Sequence, residues 1–280
     1  MTAKPISLSQ PRPAQPRRWS NLAFAGAAIT LAAAPALGQE LSSKLGIAKD
    51  MGAVLWTAQA EGGEGGEAGA VAEAPTDVAY LAQLSIVEGH LVAARDLYRK
   101  GMVDEAVGLS YHPEAEMMDD VRAALGAHNV PDITPAMTAF SQAMEKDAPL
   151  PEIDAALAAA QAAIATAAGP ETDELRTRFD AIALVLGAAA SEYAGSIEGG
   201  SVSDVMAYHE SHAFIAVARN LATGLAAIPA TKAAADKALA ALDSTDEAYG
   251  DMSSTTLEAR DPAILLAVAA RVELIASSVR

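Results

Sequence analysis

Residues 75–101, PTDVAYLAQLSIVEGHLVAARDLYRKG, decide the fold of this chain. Pro75-Thr76-Asp77 is typical of a helix start, because Thr and Asp side chains accept hydrogen bonds from the first free backbone N–H groups. Apolar residues then recur at steps of four and three, the spacing of one helix face: Tyr80, Leu84, Val87, Leu91, Ala94 and Tyr98. The stretch predicts a long amphipathic helix that ends at Gly101.

The same spacing recurs along the rest of the chain. Helices are predicted over residues 103–111, 113–125, 203–225 and 231–242, and others begin at Thr134, Pro151, Thr172 and Asp261-Pro262. No β-branched run alternates with period two between hairpin turns, which argues against a sheet. Short loops between amphipathic helices favour antiparallel neighbours. The predicted fold class is all-α, as an antiparallel helical bundle.

A faint internal repeat divides the bundle. The pattern V-x-G precedes Tyr-His in two places, at Val87 and Tyr111 and again at Val185 and Tyr208. Two duplicated four-helix halves, residues 77–168 and 171–280, would explain the repeat. The alternative is coincidence in an alanine-rich helical chain.

Residues 1–38 are typical of a bacterial signal peptide. A basic region without acids precedes an apolar run over residues 22–33, and small residues precede Gln39, where we expect cleavage. We therefore expect a periplasmic or secreted protein without a membrane span after cleavage. An N-terminal membrane anchor is the alternative, and Arg17-Arg18 raises the twin-arginine route beside the preferred general secretory route. Residues 39–76 are predicted to be a short segment followed by a Gly/Glu/Ala-rich linker, and residues 77–280 to be the bundle.

Charge and cysteine content exclude several classes of function. The formal net charge is −17, and the predicted signal peptide contributes four positive charges, so the mature chain carries −21. Such acidity argues against nucleic acid and anionic membrane surfaces as partners, although it could serve solubility alone. The chain has no cysteine, which excludes disulfides, thiolate metal sites and thiol catalysis.

The histidines are the main functional lead. A histidine and a carboxylate three or four residues apart share one helix face, so each pair can offer two ligands to one ion. The candidate metal ligands form a first group, His90, His112 and Glu116, and a second group, His209, Glu210 and His212. The alternative for each histidine is a packing or helix-capping role. His128 is predicted to lie in a loop without a function.

No sequence motif indicates an enzyme. Residues 208–212, YHESH, are similar to the H-E-x-x-H motif of zinc peptidases, but the two histidines are three residues apart rather than four. Nucleophile elbows, phosphate-binding loops and dinucleotide fingerprints are absent from the sequence. We therefore expect a non-catalytic protein.

The run LSIVEGHL at residues 84–91, followed by Leu97-Tyr98, Gly101, Ala106 and His112-Pro113-x-x-Glu116, resembles a known family. It is similar, over about residues 78–225, to helical periplasmic proteins and domains associated with bacterial iron permeases, near the imelysin-like group. The resemblance implies a two-bundle fold, periplasmic capture or delivery of a metal ion in an iron-acquisition setting, and a membrane metal permease or another periplasmic protein as partner. Imidazole ligands suit iron, copper or zinc and carboxylates suit harder ions, so residue type leaves the metal open. A helical scaffold without a ligand and an imelysin-like peptidase are the alternatives.

Overall fold

The computed structural model describes residues 71, 74, 76–170, 174–254 and 256–279. The predicted signal peptide, most of the linker, and the helix-start residues Pro75 and Thr172 lie outside the described residues. Within the described ranges, no helix is both long enough and apolar enough to cross a membrane.

Helices make up most of the described chain, which confirms the predicted all-α class. Their bounds are α1 Thr76–Arg99, α2 Val103–Leu109, α3 His112–Glu116, α4 Met118–His128, α5 Thr134–Glu145, α6 Leu150–Ala168, α7 Leu175–Gly195, α8 Val205–Ala226, α9 Lys232–Leu242 and α10 Ala263–Ala276. A 3₁₀ helix covers Asp243–Glu247. A small antiparallel hairpin turns at Gly199-Gly200, with β1 Ile197–Glu198 paired to β2 Ser201–Val202 and Ile197 opposite Val202. Both glycines have a positive φ, which side chains disfavour.

Helix α1 lies at the centre of the core. Its predicted apolar stripe is buried from Tyr80 to Ala94, and Tyr98 is half-buried. Residues outside that stripe, such as Ala82, Ile86 and Ala93, are also buried, because α2, α6, α7 and α8 all pack against this helix. A helix enclosed in this way can carry polar side chains into the interior, which matters for His90.

The helices pack as two rings that share an interface. In the first ring α1 packs against α2 and α6, and α5 packs against the same two helices. In the second ring α7 packs against α8 and α10, and α9 packs against the same two helices. Helix α1 of the first ring contacts α7 and α8 of the second. This arrangement is a helical bundle as expected, and the division into duplicated halves stays a prediction.

The region from Pro113 to His128 differs from its prediction in two details. One helix over 113–125 is divided at Met117 (φ −142°, ψ −11°) into α3 and α4. The predicted loop position of His128 is wrong: α4 continues to His128, whose ring stacks on Tyr80 at 4.4 Å. Asn129, with φ 55°, ends the helix in the left-handed conformation that Asn tolerates.

Tyr193 joins the irregular segment after α9 to the second ring, and we predict that it stabilises this segment. Its buried hydroxyl donates to Ala248 O and accepts from Arg260 N–H at 2.9 Å. Tyr193→Phe leaves both backbone groups without that partner, so we expect the free energy of unfolding to fall by about 1–3 kcal/mol in urea denaturation. Tyr98→Phe, which removes a half-buried bond to Ala148 O, is the control. An equal loss in both variants would contradict the prediction.

Candidate metal centre

Four polar side chains from three helices meet at the interface between the rings. His90 lies on α1, His112 and Glu116 on α3, and Glu210 on α8. The His90 and Glu210 side chains are only 1% and 6% exposed, whereas Glu116 is 15% and His112 35% exposed. Two of the groups therefore lie inside the bundle, and solvent reaches the cluster from the His112 side.

The imidazoles of His90 and His112 lie at nearly equal distances from the carboxylates of Glu116 and Glu210. His90 Nε2 is 3.4 Å from Glu116 Oε2 and 3.3 Å from Glu210 Oε1. His112 Nδ1 is 3.5 Å from Glu116 Oε1 and 3.3 Å from Glu210 Oε1. One ligand atom each from His90, His112 and Glu210 lies within 4.8 Å of the other two. Glu116 lies beside this group of three and approaches the two imidazoles through different oxygens, Oε2 towards His90 and Oε1 towards His112.

A backbone contact fixes the orientation of His90. Its Nδ1 lies 2.9 Å from Ile86 O, one helical turn earlier on α1. Since a carbonyl oxygen can only accept, Nδ1 carries the proton and donates it. Nε2 is therefore the nitrogen that faces the carboxylates. Metal-binding histidines commonly show this arrangement, in which one ring nitrogen donates to a carbonyl and the other is directed at the ion.

Glu210 brings a carboxyl group into a buried position. Within the described residues, the buried Oε1 of Glu210 takes part in no well-formed hydrogen bond, although His90 Nε2 and His112 Nδ1 each lie 3.3 Å from it. The contact with Glu210 is the main reason why the pKa of His112 is raised, against the opposing effect of burial. A buried carboxylate is costly unless a cation or strong donors satisfy it. The cluster therefore favours a positive charge at its centre.

The separations fit a first-row transition-metal ion. Bonds of about 2.0–2.2 Å from such an ion to imidazole nitrogen and carboxylate oxygen place tetrahedral ligand atoms about 3.4 Å apart. The four nitrogen–oxygen distances are 3.3–3.5 Å. Imidazole suits zinc, copper and iron, and carboxylate suits harder ions, so the mixed set accepts several metals.

The second predicted group is divided by the structure. Glu210 joins His90 and His112, whereas His209 and His212 are directed elsewhere, because successive residues on a helix point about 100° apart. The His212 ring packs on Tyr249 at 5.1 Å. Burial lowers the pKa of His212, and burial, with Lys100 and His212 as smaller causes, lowers that of His209 to about 4. No described contact joins either histidine to the cluster, and a ligand role for them stays a prediction.

One acid near the cluster was missing from the sequence-based prediction. Glu192 on α7 is 8% exposed. Burial, followed by the charge of Glu210, raises its pKa to about 7. The sequence does contain a signal for it: Glu192 is the one charged residue in the run LGAAASEYAG at residues 186–195. A charged residue in a helix that must be buried on several sides is a candidate for a functional site.

One region of the chain matches a known protein family. Residues 166–277 match the family model of the iron permease-associated 4-helix bundle domain. This confirms the resemblance to iron permease-associated domains, and the matched range contains α7 to α10, the second ring. Glu210 lies inside the match, and His90, His112 and Glu116 lie outside it. No curated protein and no solved structure matches the chain.

Proposed function

We propose that this chain binds a divalent transition-metal ion of the iron type and serves its capture or delivery during metal uptake. The observation that carries the proposal is the cluster of His90, His112, Glu116 and Glu210, whose nitrogen–oxygen distances are those between neighbouring ligands of one ion. The match of the second ring to an iron permease-associated domain supports the same function independently.

The charge of the cluster favours a divalent metal ion. Metal binding displaces the proton that Glu210 favours on His112. Two carboxylates and two neutral imidazoles then carry a charge of −2, so a divalent ion makes the group neutral. A monovalent ion leaves a negative charge inside the bundle, and a trivalent ion leaves a positive one, and either is costly at low dielectric. Imidazole and carboxylate ligands without a thiolate also favour exchange of the ion over permanent retention, which suits a protein that passes its ion on.

The cellular setting belongs to the proposal. The N-terminal segment typical of a signal peptide supports a periplasmic or secreted location. The matched domain type supports a membrane metal permease as partner. We propose a binding and delivery role without catalysis.

Metal titration of the mature chain, residues 39–280, tests the function. After removal of metal with a chelator, we expect anaerobic calorimetry and elemental analysis to give one tightly bound Fe²⁺ per chain, with Zn²⁺ and Mn²⁺ competing for the same site. Binding should weaken towards pH 5, because protons compete for the imidazoles. Glu88→Gln is the matched control, because Glu88 lies two residues from His90 but accepts a hydrogen bond from Gln161, and we expect wild-type stoichiometry from it. Absence of a bound ion in the wild type, or loss of the ion in this control, would overturn the proposal.

A further inference from the structure

Phe214 closes one side of the cluster. It follows Glu210 by four residues on α8, so the two side chains share one face of that helix. The Phe214 ring is fully buried and meets the His90 ring edge-to-face, with centroids 5.4 Å apart. One face of α8 therefore presents both a carboxylate to the site and an aromatic wall to the His90 imidazole.

Gly89 makes room for this wall. A Cβ atom at Gly89 would lie 2.1 Å from Phe214 Cδ1 and 2.6 Å from Cε1, far inside any normal contact. The ring therefore packs directly on the backbone of α1, beside the residue that carries the imidazole. Glycine inside a helix is destabilising by roughly 1 kcal/mol relative to alanine, so its presence here needs a packing reason, and the close approach of Phe214 supplies one.

The His90 ring is then held from three directions. Ile86 O binds Nδ1, the carboxylates of Glu116 and Glu210 lie near Nε2, and Phe214 covers a side of the ring. The first contact leaves the ring free to tilt about its hydrogen bond, and an adjacent aromatic wall restricts that tilt. Groups behind the ligands that fix their orientation typically change metal affinity by about 10–100-fold when they are removed.

We infer that Phe214 is a positioning residue of this site, which sets the orientation of His90 relative to Glu210, and that Gly89 is required for it to do so. The inference rests on the function proposed above and deepens it. It also assigns a role to Gly89 in the G-H pair at residues 89–90, next to the ligand itself.

The test combines metal binding with a measurement on the metal-free protein. In Gly89→Ala the ring of Phe214 must shift, and we expect Fe²⁺ and Co²⁺ affinity to fall about 10–100-fold, with a changed Co²⁺ absorption spectrum. Phe214→Leu, which keeps an apolar side chain but removes the aromatic wall, should change affinity and spectrum in the same direction. Gly89→Ala, Phe214→Leu should recover part of the affinity lost in Gly89→Ala. The control is Gly126→Ala, where an added Cβ meets nothing within 4 Å.

Two outcomes separate this inference from the proposed function. A purely structural role would lower the melting temperature of Gly89→Ala but leave the affinity and Co²⁺ spectrum of the folded protein unchanged, and that result overturns the inference alone. If wild-type protein binds no ion, the proposed function fails, and NMR of the metal-free protein still decides the positioning role. The His90 Nδ1–H resonance should be protected from solvent exchange in the wild type and exchange faster in Gly89→Ala and Phe214→Leu. Equal protection in all three contradicts the inference.

Discussion

Glu210→Gln is expected to weaken divalent metal binding by two orders of magnitude or more, about 3 kcal/mol, while the protein stays folded. The amide keeps the size of the side chain but lacks the charge that a buried cation needs. Glu210 Oε1 also lies 3.3 Å from both ring nitrogens, so it is the atom common to the two histidines. We expect His90→Ala to have a loss of the same size, since it removes the most buried ligand.

The ligand side chains differ in solvent exposure, and this difference predicts how strongly each substitution weakens metal binding. His112 is 35% exposed, so water can replace its ring, and His112→Ala should weaken binding less than His90→Ala. Calorimetric titration of metal-free protein at pH 7.5 measures all three variants. Glu88→Gln is the matched control, because Glu88 lies two residues from His90 but binds Gln161 on α6 instead. Wild-type affinity in Glu210→Gln, or an equal loss in Glu88→Gln, would contradict this site.

Most of the fold could be predicted from the sequence, because apolar spacing and capping residues report directly on each helix. The division at Met117 could not, since helices α3 and α4 are separated by one residue with an unusual backbone conformation and no proline or glycine marks it. Gly126 indicates a helix end, and the sequence therefore predicts a loop at His128. Gly126 instead lies inside α4, and the left-handed Asn129 ends the helix.

The cluster could be predicted only in part, and α8 shows why. His90, His112 and Glu116 lie close together in the structure, and their role as metal ligands stays a prediction. The sequence spacing groups Glu210 with His209 and His212 instead. The spacing of those two histidines indicates a shared face. The spacing of His209 and His212 does not indicate which face of α8 meets α1, because α8 is apolar on several sides and half of its residues are buried. That choice follows from packing across the interface, where Phe214 fits over Gly89.

The position of the cluster also limits what the matched domain can explain. Residues 166–277 form the second ring and contain Glu210. The two histidines and Glu116 come from α1 and α3. A four-helix domain of the matched type supplies one of the four groups here, so the proposed site requires both rings. Metal binding should therefore stabilise the interface between α1 and α8 more than either ring alone.

The second large effect is an opposite pH dependence of stability at Glu192 and His209. The pKa of Glu192 is raised to about 7 from 4.5. The native state then holds a proton that the unfolded state has lost, so stability falls as pH rises through this window, by about 3 kcal/mol in all. The pKa of His209 is lowered to about 4 from 6.5. Here the unfolded state binds the proton first, so stability falls by a similar amount as pH decreases from 6.5 to 4.

The contributions of Glu192 and His209 to the free energy of unfolding change in opposite directions with pH, so they partly cancel in the wild type between pH 4.5 and 6.5. Substituting each residue in turn separates the two contributions. Relative to wild type, Glu192→Gln should raise the free energy of unfolding at pH 8 more than at pH 5, because it removes a buried charge that forms only at the higher pH. His209→Gln should shift the difference the other way, with its relative gain at pH 4.5 larger than at pH 8. Urea denaturation with a chelator present measures both slopes, and the difference from wild type removes the contributions of all other groups. Parallel slopes for the two variants would mean that Glu192 titrates normally in the native protein or that His209 is protonated there, and either result contradicts the buried environments on which the prediction depends.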